Sequence, residues 1–333
     1  MLLMAAIITA GCGGGGEAEG GLSGSIRIDG SSTVFPLTEA VAEEFMREHP
    51  GVRITVSESG TGGGFGKFLR GETDLNDASR PITEREQAQA QDNGIQFIEL
   101  PVGYDGIAVV AHPNVDWFNC LTVDELSQIW RPSDPVEQWS QVREGFPERS
   151  IELYGPGTAS GTYDYFTEAI VGESGASRTD FTASEDDNVL VQGVRGTPGA
   201  LGYFGFAYYA NNADDLHLIS IDPDSRTAGA PCMAPSDSTI QTGAYTPLAR
   251  PLFIYVRADE AEREVVARFV EYYLNHANSL ASSVGYVGLT PAAYDFALER
   301  FQQRVAGTLF GRDSVQAGAD VEAVLRQAST SAE

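Results

Sequence analysis

Lysine is nearly missing from this sequence: Lys67 stands alone among 333 residues. That absence bears directly on the stretch Gly155 to Phe166, GPGTASGTYDYF, which has the glycines and hydroxyls of a phosphate loop. A nucleotide-binding loop needs a lysine that reaches the outer phosphates, and none follows Gly161 here. Basic charge is scarce in general. Lys and Arg together number 21 against 47 Asp and Glu, a formal net charge of −26. Nucleic-acid binding through a basic surface is therefore disfavoured. The acidic residues are spread along the chain and form no terminal tail, which favours solubility over a polyacidic interaction arm. Arginine kept beside a single lysine fits either a GC-rich genome or adaptation to high salt. No run of about 18 apolar residues occurs, so no transmembrane helix is expected. No C-x-x-C is present, so neither a zinc ribbon nor a thioredoxin-type redox site is indicated.

What is present begins at the amino terminus. MLLMAAIITAGC is an apolar segment closing on small residues and a cysteine. It looks like the end of a bacterial lipoprotein signal in which Cys12 becomes the lipidated first residue, although the basic leading segment is missing. GGGGEAEGGLSG follows as a flexible tether. Residues 1–24 are thus assigned to a signal remnant and tether, and the chain is expected to be exported, as a cell-envelope lipoprotein or a periplasmic protein. The two remaining cysteines, Cys120 and Cys232, form either a disulfide, as an even pair in an exported protein suggests, or two buried thiols.

From Ser25 onward the chain alternates strands and helices. Ser25–Asp29, Val52–Val56 and Asp74–Arg80 read as strands, as do Phe97–Leu100 and Gly106–Ala111 separately. Helices are expected from Pro36 to Met46, from Phe65 and from Thr83 to Gln91. A second unit begins near His112-Pro113, with Thr122 and Glu125 matching a capping box ahead of Trp130. Ser150–Tyr154 is a strand running into the Gly155 loop, and Arg250–Val256 is a strand that returns to the first unit. This is an α/β pattern with mainly parallel sheets.

Four strand-to-helix turns share one chemistry: Ser31-Ser32-Thr33, Gly60-Thr61-Gly62, Ser79-Arg80 and Ser160-Gly161-Thr162. Ligands of open α/β sheets bind beyond the carboxyl ends of strands. Helix starts there offer free N–H groups and partial positive charge, and hydroxyls add donors without a cation. Any one such turn is explained by helix capping alone. Four of them on alternating strands point to an anion site.

Taken in order, Gly30-Ser31-Ser32-Thr33-Val34-Phe35-Pro36, Gly60-Thr61-Gly62-Gly63-Gly64, Ala78-Ser79-Arg80-Pro81-Ile82, Ser160-Gly161-Thr162 and Gly199-Ala200-Leu201-Gly202-Tyr203 resemble the PstS phosphate-binding proteins. These are the extracytoplasmic receptors of the high-affinity phosphate ABC transporter. The resemblance runs from about Ser25 to about Tyr286. It implies a two-lobe periplasmic-binding-protein-like fold of two sheets joined by crossover strands. Residues 25–108 with 249–333 would form lobe I and residues 109–248 lobe II. It implies inorganic phosphate as ligand, ABC permease subunits as partners, a monomer, no cofactor, no metal and no enzymatic activity, while the amino-terminal segment with Cys12 suggests attachment to the membrane through a lipid anchor. Carried over by position, Ser32, Thr33 and the Val34 N–H match the first loop, Thr61 the second, and Ser160, Gly161 and Thr162 the loop of the other lobe.

Two positions depart from the best-known branch. That branch has an aspartate before the Ala-Pro of the third motif, where this chain has Ser79 before Arg80-Pro81. It has an arginine four residues before Ser-Gly-Thr, where this chain has Pro156. Arg80 is therefore expected to supply the guanidinium from the first lobe, which suits bidentate oxyanion binding. An acidic acceptor for the phosphate proton is assigned to Asp105, with Asp77, Glu58 and Asp164 as weaker candidates. Such an acceptor would reject sulfate, which has no proton to give. A receptor for another oxyanion, sulfate or molybdate, is the alternative in the same class. A phosphoryl-transfer enzyme would want the missing lysine. A serine hydrolase would want a G-x-S-x-G elbow, and the four histidines lie outside the hydroxyl loops. An empty cleft would leave a scaffold or adhesion lipoprotein.

Overall fold

The computed structural model describes residues 21–158, 160–184, 186–223, 231–310 and 320–330. Cys12 and most of the tether lie outside the described residues. The first half of the chain runs β1 (Ser23–Gly30), α1 (Phe35–Glu48), β2 (Gly51–Glu58), α2 (Gly60–Phe68), β3 (Leu75–Ala78), α3 (Glu84–Asp92), β4 (Phe97–Ala111), β5 (Cys120–Thr122), α4 (Val123–Trp130), α5 (Trp139–Val142) and β6 (Glu152–Pro156). The second half runs α6 (Gly161–Val171), β7 (Thr182–Ser184), α7 (Asp187–Gly196), β8 (Ala200–Gly205), α8 (Phe206–Ala210), β9 (His217–Asp222), α9 (Asp237–Gln241), β10 (Ala249–Arg257), α10 (Glu264–Ser283), α11 (Pro291–Gln302) and α12 (Val321–Thr330).

The strands line up as β2-β1-β3-β10-β4-β8-β6-β7, with β9 beside β4 and β5 beside β9. β1 is parallel to both β2 and β3, and β6 to both β7 and β8. Each of these pairs is joined through a helix, as parallel pairing requires. β10 runs antiparallel to β3 and β4. β4 is the shared member. It pairs with β10 from Phe97 to Gly106 and with β8 from Ile107 to Ala111. The sequence pattern suggests two strands here, broken at Pro101 to Asp105. The structure makes one strand of 15 residues, buried throughout, because ladder partners flank it along its whole length. Pro101 is tolerated where the β10 register slips between Leu252 and Phe253.

α2 also departs from expectation. It starts at Gly60 and runs through the glycines whose composition suggests a loop. Glycine is a poor helix former, but here close approach outweighs propensity. A Cβ on Gly64 would lie 2.2 Å from the Asn76 side-chain oxygen and 2.4 Å from the Gly30 Cα. Helix α2 can press onto β1 and β3 at this point only with glycine at position 64. Lys67, on the same helix, pairs with the buried Asp29 at the end of β1, which also accepts from the Ser59 hydroxyl. On the opposite face α1 buries Leu37, Val41 and Phe45. Phe45 meets Phe269 and Tyr272 of α10 edge-on, with ring centroids 5.5 and 5.2 Å apart.

In the other lobe, Phe166 stacks on Tyr203 and Trp130 meets both edge-on, a buried aromatic cluster beneath the Gly155 loop. Cys120 and Cys232 are joined as a disulfide, with Cα atoms 6.1 Å apart. No helix among the described residues is long and apolar enough to cross a membrane.

Candidate functional site

The hydroxyl loops converge where the two lobes face each other. Ser32, Thr33, Thr61, Ser79, Arg80 and Gly161 line one cavity of about 690 Å³, together with Asp164, Tyr165, Glu168 and Arg250. A second cavity, about 440 Å³, shares Ser32, Thr33 and Gly161 with it and adds Ser160, Thr162 and Glu58. A larger hollow of about 1010 Å³ lies elsewhere, between the start of β1 and α10, and contains none of these loops. The chemistry is therefore sited by the convergence of polar side chains, not by size. Among the described residues no cluster of His, Cys, Asp and Glu could hold a metal ion.

Each loop is built by its own short-range bonds. Ser31 Oγ accepts from the Thr33 N–H at 3.2 Å, and the Val34 N–H donates to the Ser31 carbonyl at 3.2 Å. Val34 itself is fully buried, so its amide closes the turn in this structure. Thr61 Oγ1 lies 3.1 Å from Ser79 Oγ and accepts from the Ser79 N–H at 3.2 Å, which ties the second loop to the third. Ser160 caps α6 by accepting from the Thr162 N–H at 3.2 Å. The two lobes touch at Gly161. A Cβ there would lie 2.1 Å from Thr33 Oγ1, so only glycine lets the helix start of α6 meet the first loop.

Arg250 was missed as a site residue. It is buried on β10 and reaches three groups through one nitrogen, Nη2: Thr33 Oγ1 at 3.0 Å, the Gly161 carbonyl at 3.4 Å and Asp105 Oδ2 at 3.5 Å. Its guanidinium carbon lies 3.8 Å from the centre of the Tyr165 ring, a cation–π contact in a desolvated setting. Tyr165 is itself fixed by donating to the Pro247 carbonyl. Arg250 thus joins both lobes at their contact. Asp105 sits directly opposite it in the β4–β10 ladder, and cross-strand neighbours share a face.

Two carboxylates lie buried on β4, and they differ. Glu99 is fully engaged: Tyr255 and Thr308 donate hydroxyls and Leu309 and Phe310 donate N–H groups. Asp105 has Arg250 on one oxygen and, among the described residues, nothing on the other, Oδ1. Burial pushes its carboxyl above the usual range, with Arg250 pulling it back down. An orphan acceptor at zero exposure is costly unless something else meets it.

Arg80 also lines the cavity, with its guanidinium held from behind by Glu86, both contacts at 2.9 Å. Of the weaker acidic candidates, Asp164 lines the first cavity and Glu58 the second. Asp77 lines neither, and nor does Asp105, which lies behind Arg250 and meets the first cavity only through it. Asp77 is fully buried in β3 below the first loop, no donor stands in good geometry to either oxygen, and burial pushes it up to about 8, partly offset by the Thr38 hydroxyl. Pro156 ends β6 and supplies no cation.

Two lobes sharing strands, helix starts aimed into the space between them, and a buried cation at their contact define a binding protein of the two-lobe solute-receptor class. The PBP superfamily domain matches residues 15–276, and the chain belongs to that superfamily. Within it, the chain is a PstS-type phosphate-binding protein by family. It is 34% identical over 312 residues to the phosphate-binding protein PstS of Staphylococcus saprophyticus, covering 93% of each chain. It is 47% identical over 310 residues to the protein SphX of Synechocystis, covering 92% of this chain and 91% of that one. A solved structure described as a possible phosphate binding protein from Planctomyces limnophilus superposes with a TM-score of 0.80 at 45% identity, covering 85% of this chain and 99% of that one.

Proposed function

We propose that this protein captures inorganic phosphate between its lobes, residues 25–108 with 249–333 and residues 109–248, and hands it to an ABC importer without chemical change. The observation that carries this reading is the Arg250–Asp105 pair, with its orphan Oδ1, at the contact of Thr33 with Gly161. The pair puts a fixed cation and a hydrogen-bond acceptor in one place, which matches HPO4²⁻ and mismatches sulfate. Hydroxyls of Ser32, Thr33, Thr61 and Ser79 and the first-turn amides of α6 supply neutral donors. About 8 kcal/mol of binding free energy corresponds to a micromolar Kd. Charge-assisted hydrogen bonds of about 1.5–3 kcal/mol each reach that level even after ordering costs. The acidic surface is no obstacle, because exposed charges beyond about 8 Å are screened at physiological salt.

The disulfide supports export to an oxidising compartment. Cys12 is the proposed lipid anchor, and the receptor is proposed to act as a monomer on the permease. Titration calorimetry with phosphate and with sulfate tests the ligand assignment. Micromolar or tighter binding of phosphate and none of sulfate is expected. Equal binding of the two would remove Asp105 from its role, and no heat with either would end the phosphate reading.

A further inference from the structure

Arg80 carries five N–H bonds, and its surroundings among the described residues occupy three of them. Nη1 donates to Glu86 Oε2 at 2.9 Å and to the Pro81 carbonyl at 3.0 Å, and Nη2 donates once to Glu86 Oε1 at 2.9 Å. Glu86 therefore takes the end of the guanidinium, across Nη1 and Nη2. The two N–H bonds left over belong to Nε and to the second hydrogen of Nη2. They lie side by side on the remaining long edge, the edge that matches two oxygens of a tetrahedral oxyanion. The guanidinium is steadied further by Phe65, whose ring centre lies 5.5 Å from its Cζ.

Glu86 cannot itself turn away. Its Oε2 also accepts from the Thr83 N–H and hydroxyl, both at 2.8 Å, in the capping box of α3. The helix cap thus anchors the carboxylate, and the carboxylate orients the cation.

We infer that Glu86 is the positioning residue of the site: it reserves the Nε–Nη2 edge of Arg80 for the bound oxyanion. The inference rests on the phosphate reading above. It differs from a plain ion pair in what it demands of the side chains. A lysine at position 80 would keep the charge and lose the edge. Glutamine at position 86 would keep the capping box, which accepts either residue. It would also place an amide N–H against Nη2 and release the fork.

The test uses the side-chain nitrogen resonances of Arg80 alongside calorimetry. In the wild type, phosphate is expected to shift the Arg80 Nε–H signal and slow its exchange with water. The two Nη groups should give separate signals even without phosphate. In Glu86→Gln the Nη signals should merge, the melting temperature should stay unchanged, and the phosphate Kd should rise roughly tenfold, about the weight of one charge-assisted hydrogen bond. Combined with Arg80→Ala, Glu86→Gln should add nothing further to the loss. Arg80→Lys should bind as weakly as Arg80→Ala. Phosphate heat with an unmoved Nε–H, or wild-type Nη signals and Kd in Glu86→Gln, would overturn this inference and leave the phosphate reading standing. Absence of heat in the wild type would overturn both.

Discussion

At the scale of single residues, the site depends on what happens to charge away from water. Arg250 and Asp105 are both buried and lie 3.5 Å apart. A buried pair is weak evidence for stability, but breaking it from one side costs about 3–5 kcal/mol, because an uncompensated charge is left behind. Arg250→Ala is therefore expected to lower the melting temperature and to weaken phosphate binding at least tenfold by calorimetry. Adding Asp105→Asn should recover much of the stability and none of the binding. If the single variant bound phosphate like the wild type, the cation of the site would have to be sought at Arg80 alone. Glu99 supplies the contrast on the same strand. Its four donors make it a structural carboxylate that ties the segment Thr308 to Phe310 onto β4.

At the scale of elements, the contact between the first loop and α6 decides how closely the lobes meet. Gly161→Ala would put a methyl 2.1 Å from Thr33 Oγ1. Helix α6 is otherwise unaffected, since alanine favours helix. The expected result is a lobe pair held apart: a larger radius of gyration in small-angle scattering with phosphate present, and binding weakened about tenfold or more. An unchanged radius and Kd would mean that the first loop gives way instead. This scale also shows what the sequence could disclose. Ser31–Thr33, Thr61, Ser79 and Ser160–Thr162 were legible because each is a local strand–turn–helix junction, whose chemistry lies within a few consecutive residues. Thr122 announced its helix for the same reason, with Glu125 three residues on. Arg250 was not legible. Its role follows from the antiparallel register that sets it opposite Asp105, a pairing between residues 145 positions apart. The glycine run of α2 was misread because helix propensity is a local quantity, whereas the gain from pressing Gly64 against Gly30 is tertiary.

At the scale of the whole molecule, the disulfide closes a long loop. Cys120 and Cys232 enclose most of one lobe, with 112 positions between them. A loop of that length corresponds to about 4.7 kcal/mol in the chain-entropy account, less where strain or residual structure intervenes. Reduction is therefore expected to lower the melting temperature by several degrees, measured with and without reductant. The shared strand β4 should still make unfolding a single transition, because neither lobe keeps its sheet without it. Two separate transitions would show that the lobes melt independently. The lone lysine has a practical consequence at this scale. Lys67 offers the chain's one side-chain amine to acylating dyes, and its ammonium is partly open while bound to Asp29. That corner of β1 and α2 carries both the first loop and Thr61. A fluorophore coupled there would label a single known side chain close to the first loop, so the protein comes with its own address for an optical reporter of the space between the lobes.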